Sequence, residues 1–320
     1  MPQDGAAYDP ATRQWTPIPA PPVPDQYDAI PVATASDTLT VLFGRSGCGA
    51  VVGGHEPSPG PAGATYDPAR GAWNPLPPLP EIFTCNPEGV RVGDVLYVWG
   101  GRADGRRQGF ALGPAGTWAP VTPTPLSLVQ DLVISAGKVY ALSGGIGGAV
   151  DTGATSPTAQ AAVFDPLTSV WTVLPDPPIV PTQGAFDLDG TLFLWDGQHA
   201  AVLTAATGWR RTPDLPLSAR TSSARAAVGG RFVVWGGWEI PQGGLGDPGT
   251  FSPVTRLLSD GAAYDPATDG WTTLASGPLR ARSAPGSAGS ADQLFIWGGT
   301  DTDQSSVPQL DDGATVRVDR

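Results

Sequence analysis

The feature of this chain that most constrains its fold is a segment that occurs twice. "DGAAYDPATRQW" occupies residues 4–15 and "DGAAYDPATDGW" occupies residues 260–271, with ten of the twelve positions identical. Recurrence of one segment near both ends is typical of a repeat architecture, in which each repeat is a small unit that buries its apolar face against neighbouring units. We therefore analysed the whole chain for the period of this repeat.

The segment occurs in six copies, and each copy ends in one tryptophan. In four copies an aromatic residue, followed by Asp-Pro, stands seven positions before the tryptophan; two degenerate copies keep only the tryptophan. The complete pairs are Tyr8 with Trp15, Tyr66 with Trp73, Phe164 with Trp171 and Tyr264 with Trp271, and the degenerate copies end at Trp118 and Trp209.

Six short apolar runs alternate with these tryptophans. Four runs end in a glycine doublet and two end in weaker versions of it. The doublets begin at Gly100, Gly144, Gly236 and Gly298, and the weaker versions begin at Gly44 and Asp196.

The spacing of the two motifs divides the repeat into a constant and a variable part. From each tryptophan to the next doublet there are 25 to 29 residues, whereas from each doublet to the next tryptophan there are 13 to 35. Short runs of aliphatic and aromatic residues bounded by Gly, Pro and Asp are typical of strands, and Asp-Pro suits the turn between two of them. Each repeat is thus predicted to hold four strands, with all insertions between the second and the third.

An apolar strand ending in Gly-Gly, a Tyr-Asp-Pro strand and a tryptophan at fixed distance resemble the kelch repeat. The resemblance covers essentially the whole chain, including a distant likeness to kelch propellers that epimerise or mutarotate N-acetylneuraminate. It implies an all-β, six-bladed β-propeller of four-stranded antiparallel blades. We predict one domain over residues 1–320, with full blades at about 26–80, 81–124, 125–178, 179–215 and 216–279.

The chain begins and ends in the middle of a repeat. We expect residues 1–20 to complete one blade with residues 280–320, so that N- and C-terminal strands close the ring and remove the exposed sheet edges. Residues 312–318, "DGATVRV", look like one further third strand. This segment either displaces the N-terminal copy or lies outside the blade, or the natural chain is longer.

Composition excludes several partners. The formal net charge of −12 repels phosphate backbones and anionic lipid, so we expect neither nucleic-acid binding nor membrane insertion. We also expect the protein to be a monomer. No signal peptide is visible at the start of the sequence. A secreted or periplasmic protein is favoured if an upstream signal has been lost, and a cytoplasmic one otherwise. Cys48 and Cys85 either form one disulfide or remain thiols.

The variable segments lie on one face of a propeller, and collected insertions are typical of a binding surface. Kelch repeats often carry an arginine sixteen residues before the doublet, and Arg220 and Arg282 hold this position. With Arg225 nearby, these side chains either offer planar donors to a ligand carboxylate or serve the structure by binding loop carbonyls and Asp carboxylates.

Four further residues are candidates for ligand contact. Trp238 follows a doublet at the start of the longest insertion, with Glu239 beside it as an acceptor or base. His199 and Arg102 stand in other variable segments. Each has a structural alternative, since aromatic residues readily anchor their own loops. The two histidines, His55 and His199, stand three blades apart, so we predict no metal site.

No catalytic motif is present: the sequence has no G-x-S-x-G, P-loop or H-E-x-x-H. We therefore favour a non-catalytic module that recognises a protein or a glycan through the variable face, with no cofactor. The alternative is a sugar isomerase that acts on a sialic acid at an arginine-lined channel mouth, with Glu239 or His199 moving a proton.

Overall fold

The protein's structure is a computed structural model. It describes residues 5–9, 12, 14–22, 28–34, 39–44, 62–81, 83, 85–101, 107–126, 129–143, 159–204, 207–240, 256–275, 277–301 and 310–318. The chain forms two compact units, the first with residues 1–141 and 162–174 and the second with residues 142–161 and 175–320. Over these ranges every regular element is a β-strand, and no helix is present that could cross a membrane.

The first unit holds four sheets in its described part. The hairpin of β1 and β2 stands alone, β3-β5-β6-β7 and β12-β13-β14-β15 are four-stranded, and β8-β9-β10-β11 gains the short β4 as a parallel edge. The strands are β1 (Gly5–Asp9), β2 (Gln14–Ile18), β3 (Asp28–Pro31), β4 (Ala33–Thr34), β5 (Leu39–Gly44), β6 (Gly63–Asp67), β7 (Ala72–Pro75), β8 (Cys85–Val92), β9 (Val95–Gly101), β10 (Arg107–Leu112), β11 (Trp118–Val121), β12 (Asp131–Ser135), β13 (Lys138–Ser143), β14 (Gln160–Asp165) and β15 (Val170–Val173).

The second unit holds three sheets in its described part. They are β16-β17-β18-β19, then β22-β23-β24 with both β20 and β21 on the free side of β22, and the three-stranded β25-β26-β27. The strands are β16 (Ala185–Leu188), β17 (Thr191–Trp195), β18 (Ala200–Thr204), β19 (Gly208–Arg211), β20 (Arg220–Thr221), β21 (Ala224–Val228), β22 (Arg231–Glu239), β23 (Leu257–Asp265), β24 (Gly270–Thr273), β25 (Gly286–Gly289), β26 (Gln293–Trp297) and β27 (Gly313–Arg317).

The second strand is the most apolar one in most of the larger sheets, and β17 is the clearest case because both of its faces are covered. In β17 the four residues from Leu192 to Trp195 are at most 1% exposed. A strand with one face in water would instead alternate polar and apolar residues. The core is accordingly divided into clusters that join neighbouring sheets. One cluster in the second unit packs Phe193 and Trp195 against Phe232 and Tyr264 of the next sheet.

The Asp-Pro motif forms the predicted turn between the third and fourth strands. Asp165 Oδ1 accepts a hydrogen bond from the backbone N–H of Leu167 at 2.9 Å, and Asp265 Oδ1 accepts one from Ala267 at 2.9 Å. Asp67 Oδ1 receives two backbone donors in the same way. The carboxylate therefore satisfies backbone groups that the short hairpin leaves unpaired.

Five of the closing tryptophans tie their sheet to the preceding one. In the described residues their indole N–H groups donate to a backbone carbonyl, and each acceptor lies four positions after the preceding closing tryptophan. The bonds are Trp73 to Pro19 (2.7 Å), Trp118 to Pro77 (3.0 Å), Trp171 to Thr122 (3.1 Å), Trp209 to Pro175 (2.8 Å) and Trp271 to Pro213 (2.8 Å). All five bonds lie within one unit or the other.

Of these seven sheets, the six that have three or more strands are the blades of a six-bladed β-propeller, so the predicted all-β fold class is confirmed. The assignment of residues 1–320 to a single domain stays a prediction. Of the alternatives left open for residues 312–318, the structure shows the first, because β27 pairs with β26, while β1 pairs with β2 as expected of a third and a fourth strand. Residues 312–318 thus take the third-strand position that we had given to the N-terminal copy.

Local chemistry explains why β27 fits beside β26. A Cβ on Gly313 would come within 2.4 Å of Trp297 Cε3, so a residue without a side chain is needed where this strand crosses the indole. Asp312, directly before it, binds Arg282 of the same sheet. The Asp-Gly pair therefore supplies both close approach and a counter-charge.

The tryptophan bond can be tested by comparing Trp271→Phe with Trp195→Phe. Both residues belong to one aromatic cluster, but the Trp195 indole N–H is buried without a partner whereas that of Trp271 is bonded. Both changes remove similar volume, and only Trp271→Phe leaves a carbonyl without its donor. We expect Trp271→Phe to lower the free energy of unfolding by about 1–2 kcal/mol more than Trp195→Phe does, as measured by urea denaturation. Equal losses would contradict a stabilising role for this bond.

Candidate functional site

Arg220 holds together the entry of the sheet that contains β22. Its side chain is fully buried, and Nη1 donates to the carbonyl of Gly236 at 3.3 Å and to the carbonyl and Oδ1 of Asp260 at 3.1 and 3.0 Å. Burial lowers the pKa of the guanidinium, and Asp260 acts in the opposite direction. Nη2 is buried without a hydrogen-bond partner. Only one oxygen of the carboxylate is therefore used.

Arg282 repeats this arrangement in the next sheet with fuller bonding. Nη1 donates to the carbonyl of Gly298 at 3.0 Å and to Asp312 Oδ1 at 2.7 Å, while Nη2 donates to Asp312 Oδ2 at 3.0 Å. This two-pronged pair has the geometry that the planar guanidinium favours. Hydrogen bonding to Arg282 in turn holds the pKa of the Asp312 carboxyl below its usual range.

Two long strands carry Trp238 and Glu239 past the glycine doublet. β22 and β23 are each nine residues long and remain paired beyond the bulge at Trp235 and Gly237, where Trp238 lies opposite Leu257. On the other side Trp238 and Glu239 pair with β20. Trp238 is partly buried in this three-stranded ribbon.

The end of the ribbon is charged. Glu239 Oε2 lies 3.4 Å from Nε of Arg256, and the side chain of Arg256 is 61% exposed whereas that of Glu239 is 26% exposed. The ribbon therefore presents an aromatic ring, a carboxylate and a guanidinium within a short length of paired backbone.

His199 belongs to a tight turn that leads from β17 to β18. Asp196 Oδ1 accepts the backbone N–H of Gln198 and of His199 at 2.9 and 2.7 Å, and Asp196 Oδ2 lies 3.0 Å from His199 Nδ1. The imidazole is 40% exposed. Arg220 N donates to the carbonyl of Gly197 at 2.9 Å, so this turn touches the strand entry that Arg220 holds.

Arg225 lies further along the first strand of the same sheet. Its Nη1 donates to the carbonyl of Ser223 at 3.1 Å, and its backbone exchanges two hydrogen bonds with the hydroxyl of Ser287 in β25. The guanidinium is only partly buried. Arg225 is thus a partly exposed cation in the first strand of its sheet.

A carboxyl pair in the first unit stands apart from these residues. Glu88 in β8 is largely buried, and burial together with the nearby charge of Asp131 in β12 raises the pKa of Glu88 to about 8. A carboxylic acid that keeps its proton near neutral pH can donate that proton or a hydrogen bond.

A cleft of about 940 Å³ lies at the hairpin-turn ends of the second unit's strands. Its lining includes Asp187, Asp189, Gly230, Arg231 and Asp265. The Arg231 guanidinium is bound to Asp265 through Nε and Nη2 at 2.9 and 2.8 Å. The only basic side chain among these lining residues is therefore neutralised by its neighbour.

Comparison with known proteins agrees with this architecture. No protein-family model matches the chain. Kelch-like protein terF of Aspergillus terreus is 24% identical over 283 residues, which cover 66% of this chain and 61% of that protein. The solved structure of YjhT superposes with a TM-score of 0.54 at 13% identity, covering 93% of this chain and 97% of that one. The chain thus has the fold of a β-propeller and is similar in sequence to a kelch-like protein.

The propeller brings together several of the residues that the sequence singled out. Arg220, Trp238 and Glu239 share one strand ladder, and the turn of His199 touches its edge. Gly237 N also donates to the carbonyl of Arg282 at 2.9 Å. These residues lie on the variable-segment side of the second unit. Three predicted positions, Arg102, Cys48 and His55, lie outside the described residues, and the side chain of Cys85 does too.

The geometry corrects one interpretation. Arg220 and Arg282 are 0% exposed and are bonded to carbonyls and to Asp carboxylates, which is their structural alternative. A buried, paired guanidinium does not present an open fork to a ligand carboxylate. Arg220 and Arg282 are therefore not available to bind a ligand at an arginine-lined channel mouth. Arg225 and Arg256 are partly exposed cations nearby.

Sequence reasoning missed several residues of this region. Asp260 and Asp312 each stand directly before a glycine of a third strand, and the repeated "DGA" was a signal that could have predicted an arginine partner. Arg256 has no repeat position. Glu88 and Asp131 belong to different repeats, so their proximity depends on how two sheets pack and leaves no local pattern in the sequence.

The arginine pairs predict a difference between Asp312→Asn and Asp260→Asn. Asparagine keeps the shape of the acceptor but leaves the buried guanidinium without a counter-charge. Because Arg282 uses both oxygens of Asp312, we expect Asp312→Asn to cost about 3 kcal/mol and Asp260→Asn clearly less. Urea unfolding at pH 7 measures both.

The Arg282–Asp312 ion pair also predicts how the free energy of unfolding depends on pH. The folded pKa of Asp312 is depressed, so its stabilisation is present above the pKa of the unfolded chain and is lost as pH falls through the folded value. Asp312→Asn should therefore lose less stability on acidification than the wild type. An acid limb as steep as in the wild type would contradict this assignment.

Glu88→Gln should stabilise the protein at alkaline pH. Because the folded pKa of Glu88 is raised to about 8, folding keeps a proton that the unfolded chain releases above about pH 4.5, and stability falls across this window. Glutamine has no proton to lose, so the variant should gain up to roughly 5 kcal/mol over the wild type between pH 4.5 and 8.5, at about 1.4 kcal/mol for each pH unit. Asp94→Asn, at the exposed turn of the same hairpin, is the control. Parallel stability profiles for the wild type and Glu88→Gln would refute the shift.

Proposed function

We propose that this propeller is a non-catalytic recognition module that binds a protein or a glycan through the variable-segment face of its second unit. The observation that carries this proposal is the ribbon of β20, β22 and β23. It extends beyond the glycine doublet and holds Trp238, Glu239 and Arg256 on paired backbone. A ribbon fixed in this way positions side chains for binding with little loss of conformational entropy.

The chemistry of the ribbon fits a polar ligand that has one apolar face. The partly buried indole of Trp238 offers a surface for a sugar ring or an aromatic side chain to stack on. Glu239 accepts hydrogen bonds, and Arg256 donates them. Tryptophan and arginine are also the residues that most often dominate the energy of protein interfaces.

The buried arginines support recognition by this ribbon rather than by a charged channel mouth. Arg220 and Arg282 fix the strand entries beneath the ribbon through their bonds to Gly236, Asp260 and Asp312. They act as scaffold for the face. Ligand contact is left to side chains that the scaffold presents, which is the division of roles that rigid binding sites favour.

A glycan array combined with capture of protein partners tests the proposal. Trp238→Ala should weaken binding at least tenfold, since a stacked aromatic anchor contributes roughly 1.4 kcal/mol or more. Glu239→Gln should weaken it while leaving the unfolding midpoint unchanged. Leu167→Ala, at a 94% exposed residue of the first unit, is the control. Binding that survives both ribbon variants at wild-type strength would reject this face.

A second candidate is the sugar isomerase, and Glu88 is the observation that favours it. A carboxylic acid with a pKa of about 8 beside Asp131 supplies an acid and a base in one place, as exchange at a sugar's anomeric centre requires. Mutarotation of N-acetylneuraminate, followed by NMR, tests this candidate. A rate equal to that of buffer, or an equal rate in Glu88→Gln, would reject it.

A further inference from the structure

The turn that precedes β18 departs from the repeat at one position. Other repeats have glycine at the start of the doublet, as at Gly236 and Gly298, but this one has Asp196. Its carboxylate binds two backbone N–H groups through Oδ1 and approaches His199 Nδ1 at 3.0 Å through Oδ2. A carboxylate only accepts hydrogen bonds, so Nδ1 is the donor in this contact and Nε2 is the ring nitrogen left to offer its lone pair to a metal ion.

Nε2 of His199 points towards a second carboxylate. Asp214 Oδ2 lies 3.9 Å from it, which is too long for a hydrogen bond. Both side chains are accessible, with His199 40% and Asp214 58% exposed. Two electron-pair donors thus face each other across a gap that water and ions can enter.

The size of the gap suits a metal ion. Zinc binds imidazole nitrogen at about 2.0–2.1 Å and carboxylate oxygen at about 2.0–2.2 Å, so two donors of one tetrahedral ion lie roughly 3.4 Å apart. The observed 3.9 Å is close to this distance, and the two exposed side chains need to approach by only about 0.5 Å to bind one ion. A carboxylate on the far ring nitrogen is also the usual orienting partner of a metal-binding histidine, and Asp196 has this position.

The backbone holds the two donors in place. Leu215, next to Asp214, donates its N–H to the carbonyl of Gln198, next to His199, at 3.1 Å. Leu215 itself is 4% exposed and belongs to the aromatic core cluster. The site is therefore built on fixed backbone, and little rearrangement is needed when an ion binds.

We propose that His199 Nε2 and Asp214 Oδ2 form a two-ligand site for a borderline divalent cation such as Zn²⁺ or Cu²⁺, with Asp196 as a positioning residue. This site is distinct from the ribbon and does not rest on the proposed function. The described residues contain no group of three or more His, Cys, Asp or Glu side chains that could hold a metal. The remaining coordination positions are consequently open to water or to a donor group of a bound molecule, and binding is weaker than at a structural zinc site.

Zinc titration of the full chain, followed by the imidazole NMR signals, tests the site. The chain has two histidines, so the variant His55→Gln leaves a single imidazole to observe. We expect Zn²⁺ to shift this signal saturably with one ion bound, and Mg²⁺ to leave it unmoved because hard cations prefer oxygen ligands.

Further variants, made in the His55→Gln background, distinguish the metal ligand from the positioning residue. Asp214→Asn removes a ligand and should weaken zinc binding at least tenfold, while Asp196→Asn should weaken it about tenfold by releasing the ring. Asp189→Asn, at an exposed turn elsewhere, is the matched control and should bind as before. An imidazole signal that zinc does not saturate, or equal affinities for Asp214→Asn and Asp189→Asn, would overturn the proposal.

Discussion

The interaction on which the rest of this structure depends is the hydrogen bond from a closing tryptophan to the sheet before it, which five closing tryptophans make. In the described residues the acceptor is always the carbonyl four positions after the preceding closing tryptophan, as with Trp209 and Pro175. Between a closing tryptophan and the next doublet, the chain must place that carbonyl and then form the first strand and the apolar second strand of the next sheet. This geometric requirement explains why 25 to 29 residues separate each tryptophan from the next doublet, whereas the doublet-to-tryptophan segment is free to vary.

A second constraint, found in two neighbouring sheets, concerns charge. In an acidic protein, Arg220 and Arg282 are fully buried and bind the carboxylates of Asp260 and Asp312 together with doublet carbonyls. A buried guanidinium is tolerated only when a carboxylate is paired with it and most of its donors are satisfied. The two arginines that most resembled ligand contacts are therefore used to fix strand entries, and recognition passes to side chains that protrude beyond them.

The sequence predicts the fold far better than it predicts the site. Strands, turns and repeat order follow from local patterns, such as the continuously apolar β17 and the Asp-Pro turns, because each pattern reports burial or backbone bonding within one hairpin. The role of Arg220 could have been predicted from the recurring "DGA", but only by asking which buried side chain the carboxylate next to that glycine binds. The proximity of Glu88 to Asp131 could not have been predicted, because these residues are 43 positions apart and come together only through the packing of two sheets.

The two most distinctive groups of the second unit arise at the same step of the repeat. After Trp195 an aspartate replaces the first doublet glycine, and after the doublet that follows Trp235 the strand continues into Trp238. Residues before this step are buried between sheets, and the closing tryptophan after it must meet its carbonyl. The stretch directly after the second strand is subject to neither constraint, so polar and aromatic side chains can stand there with little effect on packing. Backbone that is fixed on both sides then holds that chemistry in place, as it does for the turn of His199 and for the ribbon.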